Sequence, residues 1–267
     1  MELREFLFAP LGRHKFEFVV SAREPGRFSG ASRLVQLAEE LGVRVEWAAR
    51  EGVPLSAGLP VLRGRGTGEQ VAAAEEVLLG VIGKPSGVAT AAAEFVRRGG
   101  GQRVVCGAWK KVAPETRTAL RQAIATGGAA IRVSEEPFIY LDKNYVRMFG
   151  GVGPAVSRAK EFIPGRLVVV QLRGETKPVA DEAGEAAGAQ AEVIMIDTGR
   201  MDDLRIAVDA AKRGGWRERT RIAFAGGVTL DRLAEAVAAG ADVVDVGRAI
   251  IDAPMLDFRL DVQSGGA

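Results

Sequence analysis

The stretch that decides the fold is RIAFAGGVTLDRLAEAVAAGADVVDVGRAI, residues 221–250, which predicts strand, glycine turn, helix, strand and a second glycine turn. RIAFA and DVVDV are short apolar runs typical of buried strands. Between them, Thr229 stands where a helix N-cap belongs, and apolar residues then recur with helical spacing. Glycine after each strand lets backbone N–H groups approach an anion closely. The stretch therefore predicts a β/α unit whose turns either bind phosphate or are simply tight.

The same alternation extends back to about residue 103 and predicts a parallel β/α sheet or barrel. Strands are predicted at 103–106, 130–133, 138–141, 167–172, 192–196, 222–225 and 243–246. Helices are predicted at 114–125, 154–162, 179–187, 201–213 and 230–239. A weak internal repeat supports this interpretation, because Ala187-Gly188-Ala189 precedes VIMID as Ala239-Gly240-Ala241 precedes VVDVG. Seven strands are one fewer than in a complete eight-stranded barrel.

The first hundred residues lack this rhythm and predict a separate N-terminal domain. Helices are predicted at 32–41, 69–81 and 86–98, and a strand at 43–48, with a segment rich in glycine and proline at 51–68. Gly99–Gly101 forms a glycine-rich hinge. We therefore predict two domains, residues 1–100 and 101–267.

Composition excludes several classes of protein. Thirty-six Lys and Arg against 34 Asp and Glu give a net charge of +2 without a basic stripe, which argues against a nucleic-acid partner. No apolar run predicts a membrane span or a signal peptide. Cys106 is the single cysteine, so no internal disulfide is possible, and a cytoplasmic location is expected. His14, the one histidine, is flanked by Arg13 and Lys15 in a predicted solvated turn, which argues against histidine-based catalysis.

Ligands of parallel β/α folds bind at the carboxyl ends of the strands, where this chain carries a mainly cationic set. The set comprises Lys110, Lys111, Arg132, Asp142, Lys143, Asn144, Gln171, Arg173, Asp197, Gly226, Gly227, Gly247 and Arg248. Gln171 and Arg173 alternate along one strand and should share a face. Asp197 ends an otherwise apolar strand, which favours a functional role, such as holding a magnesium ion that phosphates also bind. The set predicts an anionic, phosphate-bearing ligand, although each lysine or arginine alone is better explained as a solvated charge.

In this order, these residues resemble the nicotinate-nucleotide pyrophosphorylase family, also called quinolinate phosphoribosyltransferase. EEVLLGVIGKPSGVATAAAEFV, residues 75–96, is similar to the family's Glu-Arg-x-x-Leu-Asn…Ser-Gly-Ile-Ala-Thr helix pair. AWKKVAPETRTALRQAIATGG, residues 108–128, resembles its Asp-Thr-Arg-Lys-Thr-x-Pro-Gly loop, the following helix and the Gly-Gly pair. LDKNYV lies where the family has Lys-Glu-Asn-His-Ile, and VIMIDTG resembles its Leu-Leu-Asp-Asn strand. Residues 223–250 resemble its closing Ser-Gly-Gly-Ile/Val-Thr…Val-Gly-Ala unit.

The resemblance implies an N-terminal α/β sandwich and an open, roughly seven-stranded parallel α/β barrel, assembled as a homodimer or larger homo-oligomer. It also implies a magnesium-dependent transfer from phosphoribosyl pyrophosphate to quinolinate, which yields nicotinate mononucleotide, carbon dioxide and pyrophosphate in NAD biosynthesis. Lys110, Lys111 and Asp197 are then the expected catalytic residues, with Asp197 also the magnesium ligand. The expected substrate- and phosphate-binding residues are Arg132, Lys143, Gln171, Arg173, Gly226, Gly227, Gly247 and Arg248.

The chain departs from the family pattern mainly where the family holds the quinolinate carboxylates. The family's Arg is Glu76 here, and its two His positions are Ile131 and Tyr145, with the nearby Lys displaced to Lys143. Retained positions, by contrast, belong largely to the phosphoribosyl half: Lys111, Arg132, Asp197, Gly226, Gly227 and Gly247. The departures predict weak quinolinate binding. They leave open a relative that uses another acceptor or only binds a ligand, and an unrelated barrel enzyme with Schiff-base chemistry at Lys110 or Lys111.

Overall fold

The computed structural model describes residues 3–101, 103–163 and 165–263, which form two compact units. The first unit draws on residues 1–93, 112–128 and 252–267, and the second on residues 94–111 and 129–251. The predicted division after residue 100 stays a prediction, because compactness alone does not show which segments fold independently. Within the described ranges, no helix is both long and apolar enough to cross a membrane.

The elements alternate along most of the chain. The helices are α1 (Leu3–Phe8), α2 (Ala31–Glu40), α3 (Gly68–Arg98), α4 (Arg117–Thr126), α5 (Lys143–Met148), α6 (Val152–Phe162), α7 (Val179–Gly188), α8 (Met201–Arg213), α9 (Leu230–Ala238) and α10 (Arg248–Ile251), with 3-10 turns at Ala9–Leu11, Ala108–Lys111 and Pro114–Thr116. The strands are β1 (Lys15–Ala22), β2 (Gly26–Arg27), β3 (Arg44–Ala48), β4 (Pro54–Leu55), β5 (Pro60–Thr67), β6 (Arg103–Val105), β7 (Phe138–Leu141), β8 (Leu167–Leu172), β9 (Val193–Ile196), β10 (Arg221–Phe224), β11 (Val243–Asp245) and β12 (Phe258–Val262).

The first unit is built on an antiparallel sheet in the order β12-β1-β5-β3, with β2 and β4 forming a separate short pair. The inward residues of β1, Phe18 and Val20, are buried together with Leu34 of α2 and Leu78 of α3. The last strand, β12, pairs with β1 at the edge of this sheet, so residues 258–262 belong to the same core as residues 18–22. Its Phe258 is buried in that core.

The two helices predicted at 69–81 and 86–98 are wrong as separate elements, because the structure has one continuous helix, α3, with Pro85 inside it. Proline cannot donate to the carbonyl one turn earlier, so a proline inside a helix commonly kinks or breaks it. The helix continues because its buried face stays in phase across the proline, with Leu78, Ile82 and Ala89 all fully buried. Beside the proline, the Gly83 carbonyl accepts a hydrogen bond from Leu256 N–H at 3.1 Å.

The second unit confirms the predicted open α/β barrel. Its strands form a curled parallel sheet in the order β6-β11-β10-β9-β8-β7. Both faces of the central strands are apolar, as expected for parallel strands covered by helices. The inner face packs Val169, Val193, Met195, Ala223 and Val243 against one another.

The strand predicted at 130–133 is wrong. Ala130 forms only an isolated bridge with Val105, and the chain bends directly after it. The carbonyl of Ile131 accepts the indole N–H of Trp109 at 3.0 Å. In the described residues the curled sheet therefore has six strands and one bridge, rather than seven strands.

Two β-α-β units, separated along the chain by α8, share one arrangement at the amino ends of their strands. In β8-α7-β9, the Glu192 carboxylate accepts the Val168 backbone N–H at 2.7 Å. In β10-α9-β11, the Asp242 carboxylate accepts the Ile222 N–H at 2.7 Å. In each unit, the N–H of the alanine before the acidic residue donates to a carbonyl of the preceding helix. The structure therefore shows an internal repeat, but on the β9 side the matching residues lie two positions later than the sequence predicts.

Candidate functional site

The candidate site lies at the carboxyl ends of the strands of the second unit. Side chains alternate along a strand, so the residue two positions beyond an inward core residue also points inward. Val169 is followed in this way by Gln171, Met195 by Asp197, and Val243 by Asp245. We call Tyr140, Gln171, Arg173, Asp197 and Asp245 the strand-end cluster.

Asp197 is the centre of hydrogen bonding in the strand-end cluster, and its side chain is 25% exposed. Its Oδ2 accepts hydrogen bonds from the Gln171 amide and, at 3.4 Å, from Arg173 Nη1. Gln171 and Arg173 therefore share one face, as the alternation predicts. Gln171 Oε1 also accepts the Lys143 backbone N–H at 2.9 Å, which joins the first turn of α5 to the cluster.

Asp245, the last residue of β11, is a member of the cluster that the sequence predictions omitted. Its Oδ1 accepts the Gly107 N–H at 3.2 Å, at the start of the turn that carries the two lysines. Burial raises the pKa of Asp245, the charge of Asp197 adds to this rise, and the Gly107 N–H, Lys110 and Lys111 oppose it. Asp245 alternates with buried Val243 in an apolar strand, which is the same signal that identified Asp197.

Tyr140 of β7 was also missed. Its hydroxyl donates to Met195 Sδ at 3.2 Å, and burial raises its pKa, so the phenol stays neutral. The Lys110 ammonium lies 5.3 Å from the centre of the Tyr140 ring, within the range of a cation–π contact. Lys110 and Lys111 are both exposed on the 3-10 turn after β6, and Lys110 brings a positive charge to the neutral ring.

The turns after β9 and β10 pack backbone against backbone. Gly226 has φ +105°, and a Cβ built on it would lie 2.5 Å from Gly199 N. Gly227 has φ +69° with nothing within 4 Å of its Cβ position. Gly247 differs, because its φ is not left-handed and a Cβ there would meet Ala108 Cβ at an ordinary 3.6 Å. The fold thus requires glycine at 226 and does not require it at 247.

The remaining predicted residues lie at the edges of this region. Arg132 is exposed after the Ala130 bridge, and its carbonyl accepts a hydrogen bond from Arg103 at 3.3 Å. Lys143 begins α5, which Asp142 caps by accepting the N–H groups of Asn144 and Tyr145. Arg248 is exposed at the start of α10.

One departure from the family pattern lies in the first unit. Glu76 is exposed on α3 and forms an ion pair with Arg4.

The acids present suit a magnesium ion shared with a ligand rather than a site made of protein alone. No group of three or more His, Cys, Asp or Glu side chains able to hold a metal occurs among the described residues. Asp197 Oδ1, however, accepts no hydrogen bond from any described residue, whereas its Oδ2 accepts two. Magnesium is commonly held by one or two carboxylates together with substrate phosphates, and Asp197 fits that role.

Comparisons with known proteins cover nearly the whole chain. Residues 6–86 match the family described as quinolinate phosphoribosyl transferase, N-terminal domain, and residues 88–261 match its C-terminal domain. A probable carboxylating nicotinate-nucleotide pyrophosphorylase of Archaeoglobus fulgidus is 30% identical over 249 residues, covering 92% of this chain and 94% of that protein. The carboxylating nicotinate-nucleotide pyrophosphorylase of Homo sapiens is 28% identical, covering 90% of this chain and 80% of that protein.

Solved structures share the fold. The nicotinate-nucleotide pyrophosphorylase from Francisella tularensis superposes with a TM-score of 0.80 at 22% identity, covering 96% of this chain and 90% of that one. The enzyme from Pyrococcus furiosus gives 0.82 at 22% identity, covering 97% of this chain and 72% of that one.

Proposed function

Since the chain belongs to the quinolinate phosphoribosyl transferase family, whose curated relatives are carboxylating nicotinate-nucleotide pyrophosphorylases, we propose that it is itself such an enzyme. It would transfer the phosphoribosyl group of phosphoribosyl pyrophosphate to quinolinate, giving nicotinate mononucleotide, carbon dioxide and pyrophosphate. The relatives give no support to the alternative of another acceptor or a non-catalytic binding protein. Within this chain, the observation that carries the proposal is Asp197, fixed by Gln171 and Arg173 at a strand end beside glycine turns.

In the proposed reaction, the bond from the ribose anomeric carbon to pyrophosphate breaks, and positive charge develops on the sugar. The Asp197 carboxylate would stabilise that charge, because a preorganised group aimed at developing charge lowers the barrier. Gln171 and Arg173 both bind Oδ2, so they fix the carboxylate and leave Oδ1 towards the ligand. A magnesium ion held by Asp197 would neutralise charge on the departing pyrophosphate.

The surrounding cations and turns would bind the anionic ends of the two substrates. Backbone N–H groups of the Gly226–Gly227 turn would approach a phosphate closely, because neither residue carries a side chain. Lys111, Arg132 and Arg248 are exposed charges suited to phosphates. The site would be completed by Lys110, Lys143 and the turn at Gly247. Lys110, which lies over the Tyr140 ring, would bind a carboxylate of the acceptor.

Two further expectations accompany the activity. Assembly as a homodimer or larger homo-oligomer follows from the resemblance, and sedimentation velocity would test it. We also expect a cytoplasmic location, with which the single cysteine is consistent, and fractionation of the source cell would test it.

Calorimetric titration with phosphoribosyl pyrophosphate and magnesium, repeated with quinolinate present, tests the function. We expect both ligands to bind and nicotinate mononucleotide to form. Asp197→Asn should abolish most of the turnover, whereas Asp209→Asn, which removes the same charge from an exposed position on α8, should not. If phosphoribosyl pyrophosphate binds but quinolinate does not, quinolinate is not the acceptor. If neither ligand binds, the proposed function is wrong.

A further inference from the structure

A buried carboxylate organises the loop that follows β8. Glu182, in the first turn of α7, is only 1% exposed. Its Oε2 accepts the Gly174 N–H at 2.9 Å, and its Oε1 accepts both the N–H (3.0 Å) and the hydroxyl (2.8 Å) of Thr176. Oε1 also accepts the Lys177 N–H at 3.4 Å. One side chain thus satisfies four donors along the segment 174–177.

The loop that Glu182 organises reaches Asp197 through a chain of ion pairs. Glu175 lies within the segment and accepts from Arg173 Nε at 3.1 Å. It also pairs with Arg147 of α5 at 2.6 Å. Arg173 in turn donates to Asp197 Oδ2 at 3.4 Å. The orientation of Arg173 therefore depends on where the loop places Glu175.

We propose that Glu182 is a positioning residue, which fixes the loop after β8 so that Glu175 holds Arg173 against Asp197. Its effect on turnover rests on the proposed function, whereas its effect on Arg173 does not. A carboxylate is required because all four partners are donors, and a carboxylate only accepts. Glutamine would turn an NH2 group towards at least one of them, which leaves a donor facing another donor beside the buried side chain of residue 182.

Glu192 supplies a matched control in the same sheet. It also accepts a backbone N–H, that of Val168, but at the amino end of β8, away from the strand-end cluster. Glu182→Gln and Glu192→Gln should therefore both lower stability to urea. We expect Glu182→Gln alone to lower kcat/KM, by about 10- to 100-fold, as is typical when a supporting residue lets a functional group move. Glu192→Gln should stay within about twofold of the wild type, because it changes no loop at the cluster.

A double-mutant cycle with Arg173→Ala separates positioning from a general loss of structure. If Glu182 acts through Arg173, Glu182→Gln should lower kcat/KM little further once Arg173 is alanine, while its effect on urea stability persists. Additive losses in kcat/KM would overturn the proposal, as would equal losses for the two glutamine variants.

A readout without turnover keeps the inference separate from the proposed activity. In NMR spectra of Glu182→Gln, the Arg173 Nε–H signal should shift and this proton should exchange faster with water, because its hydrogen bond to Glu175 is loosened. In Glu192→Gln, both the signal and the exchange rate should be unchanged. That result supports the positioning role even if the wild type makes no nicotinate mononucleotide. An unchanged Arg173 signal in Glu182→Gln would overturn it whatever the activity.

Discussion

Replacing Gly226 by alanine tests the backbone contact between the turns after β9 and β10. The new Cβ would lie 2.5 Å from Gly199 N and 2.7 Å from Gly199 Cα, both backbone atoms that no side-chain rotation can move. The φ of +105° adds conformational strain of about 1–3 kcal/mol for any residue other than glycine. Moving packed backbone aside adds about 1–3 kcal/mol more. We therefore expect a loss of about 4 kcal/mol in the free energy of unfolding.

Gly227→Ala is the matched control, one residue along the same turn. Its φ of +69° is also left-handed, but nothing lies within 4 Å of the new Cβ. Only the conformational term applies, and the expected loss is about 1–2 kcal/mol. Urea unfolding followed by circular dichroism measures both variants, with unchanged m values showing that the unfolding reaction is the same. Equal losses at 226 and 227 would refute the backbone contact.

Three further predictions address charge, burial and the site. Burial raises the pKa of Asp245, so the folded protein binds its proton more tightly than the unfolded chain, and wild-type stability falls as pH rises from the ordinary value of 3.8 through the raised pKa. Asp245→Asn should therefore gain stability relative to the wild type across that window in urea unfolding, and a difference independent of pH would contradict this. Burial also raises the pKa of Cys106 to about 12, so a disulfide reagent at pH 7 should react roughly a thousandfold more slowly with the folded protein than with the chain in urea. Lys111→Ala should lower kcat/KM for phosphoribosyl pyrophosphate by roughly 10²- to 10³-fold in a steady-state assay, whereas Lys212→Ala, exposed at the end of α8, should leave it unchanged.

The fold was predictable where the sequence carries both an apolar pattern and its stop signals. The predicted bounds of β7, β8 and α8 coincide with the structure, because each run is bordered by turn or polar residues. The prediction divided α3 into two helices, whereas the structure has one, because its buried face continues in phase across Pro85. Residues 130–133 were predicted as a strand but bend after a single bridge at Ala130, and the Ile131 carbonyl there bonds to a side chain distant in sequence, that of Trp109.

The site was predictable only where one residue stands out from its own strand. Asp197 does so, and the alternation of Gln171 with Arg173 places both beside it. Glu182 gives no such signal, because an acid in the first turn of a helix is normally solvated. Its role depends on a loop folding back over it, and such a contact is not encoded in spacing.

The carboxylates of Glu192 and Asp242 have a consequence for how the parallel strands find their register. Strands buried on both faces, such as VIMI and RIAF, lack the polar alternation that would penalise a slip by one residue. A slip of β8 along β9 would separate Glu192 from the Val168 N–H, and a slip of β10 along β11 would separate Asp242 from that of Ile222. Either error leaves a backbone donor without its acceptor. These two β-α-β units thus each carry one acidic residue, just before the second strand, that favours the correct register.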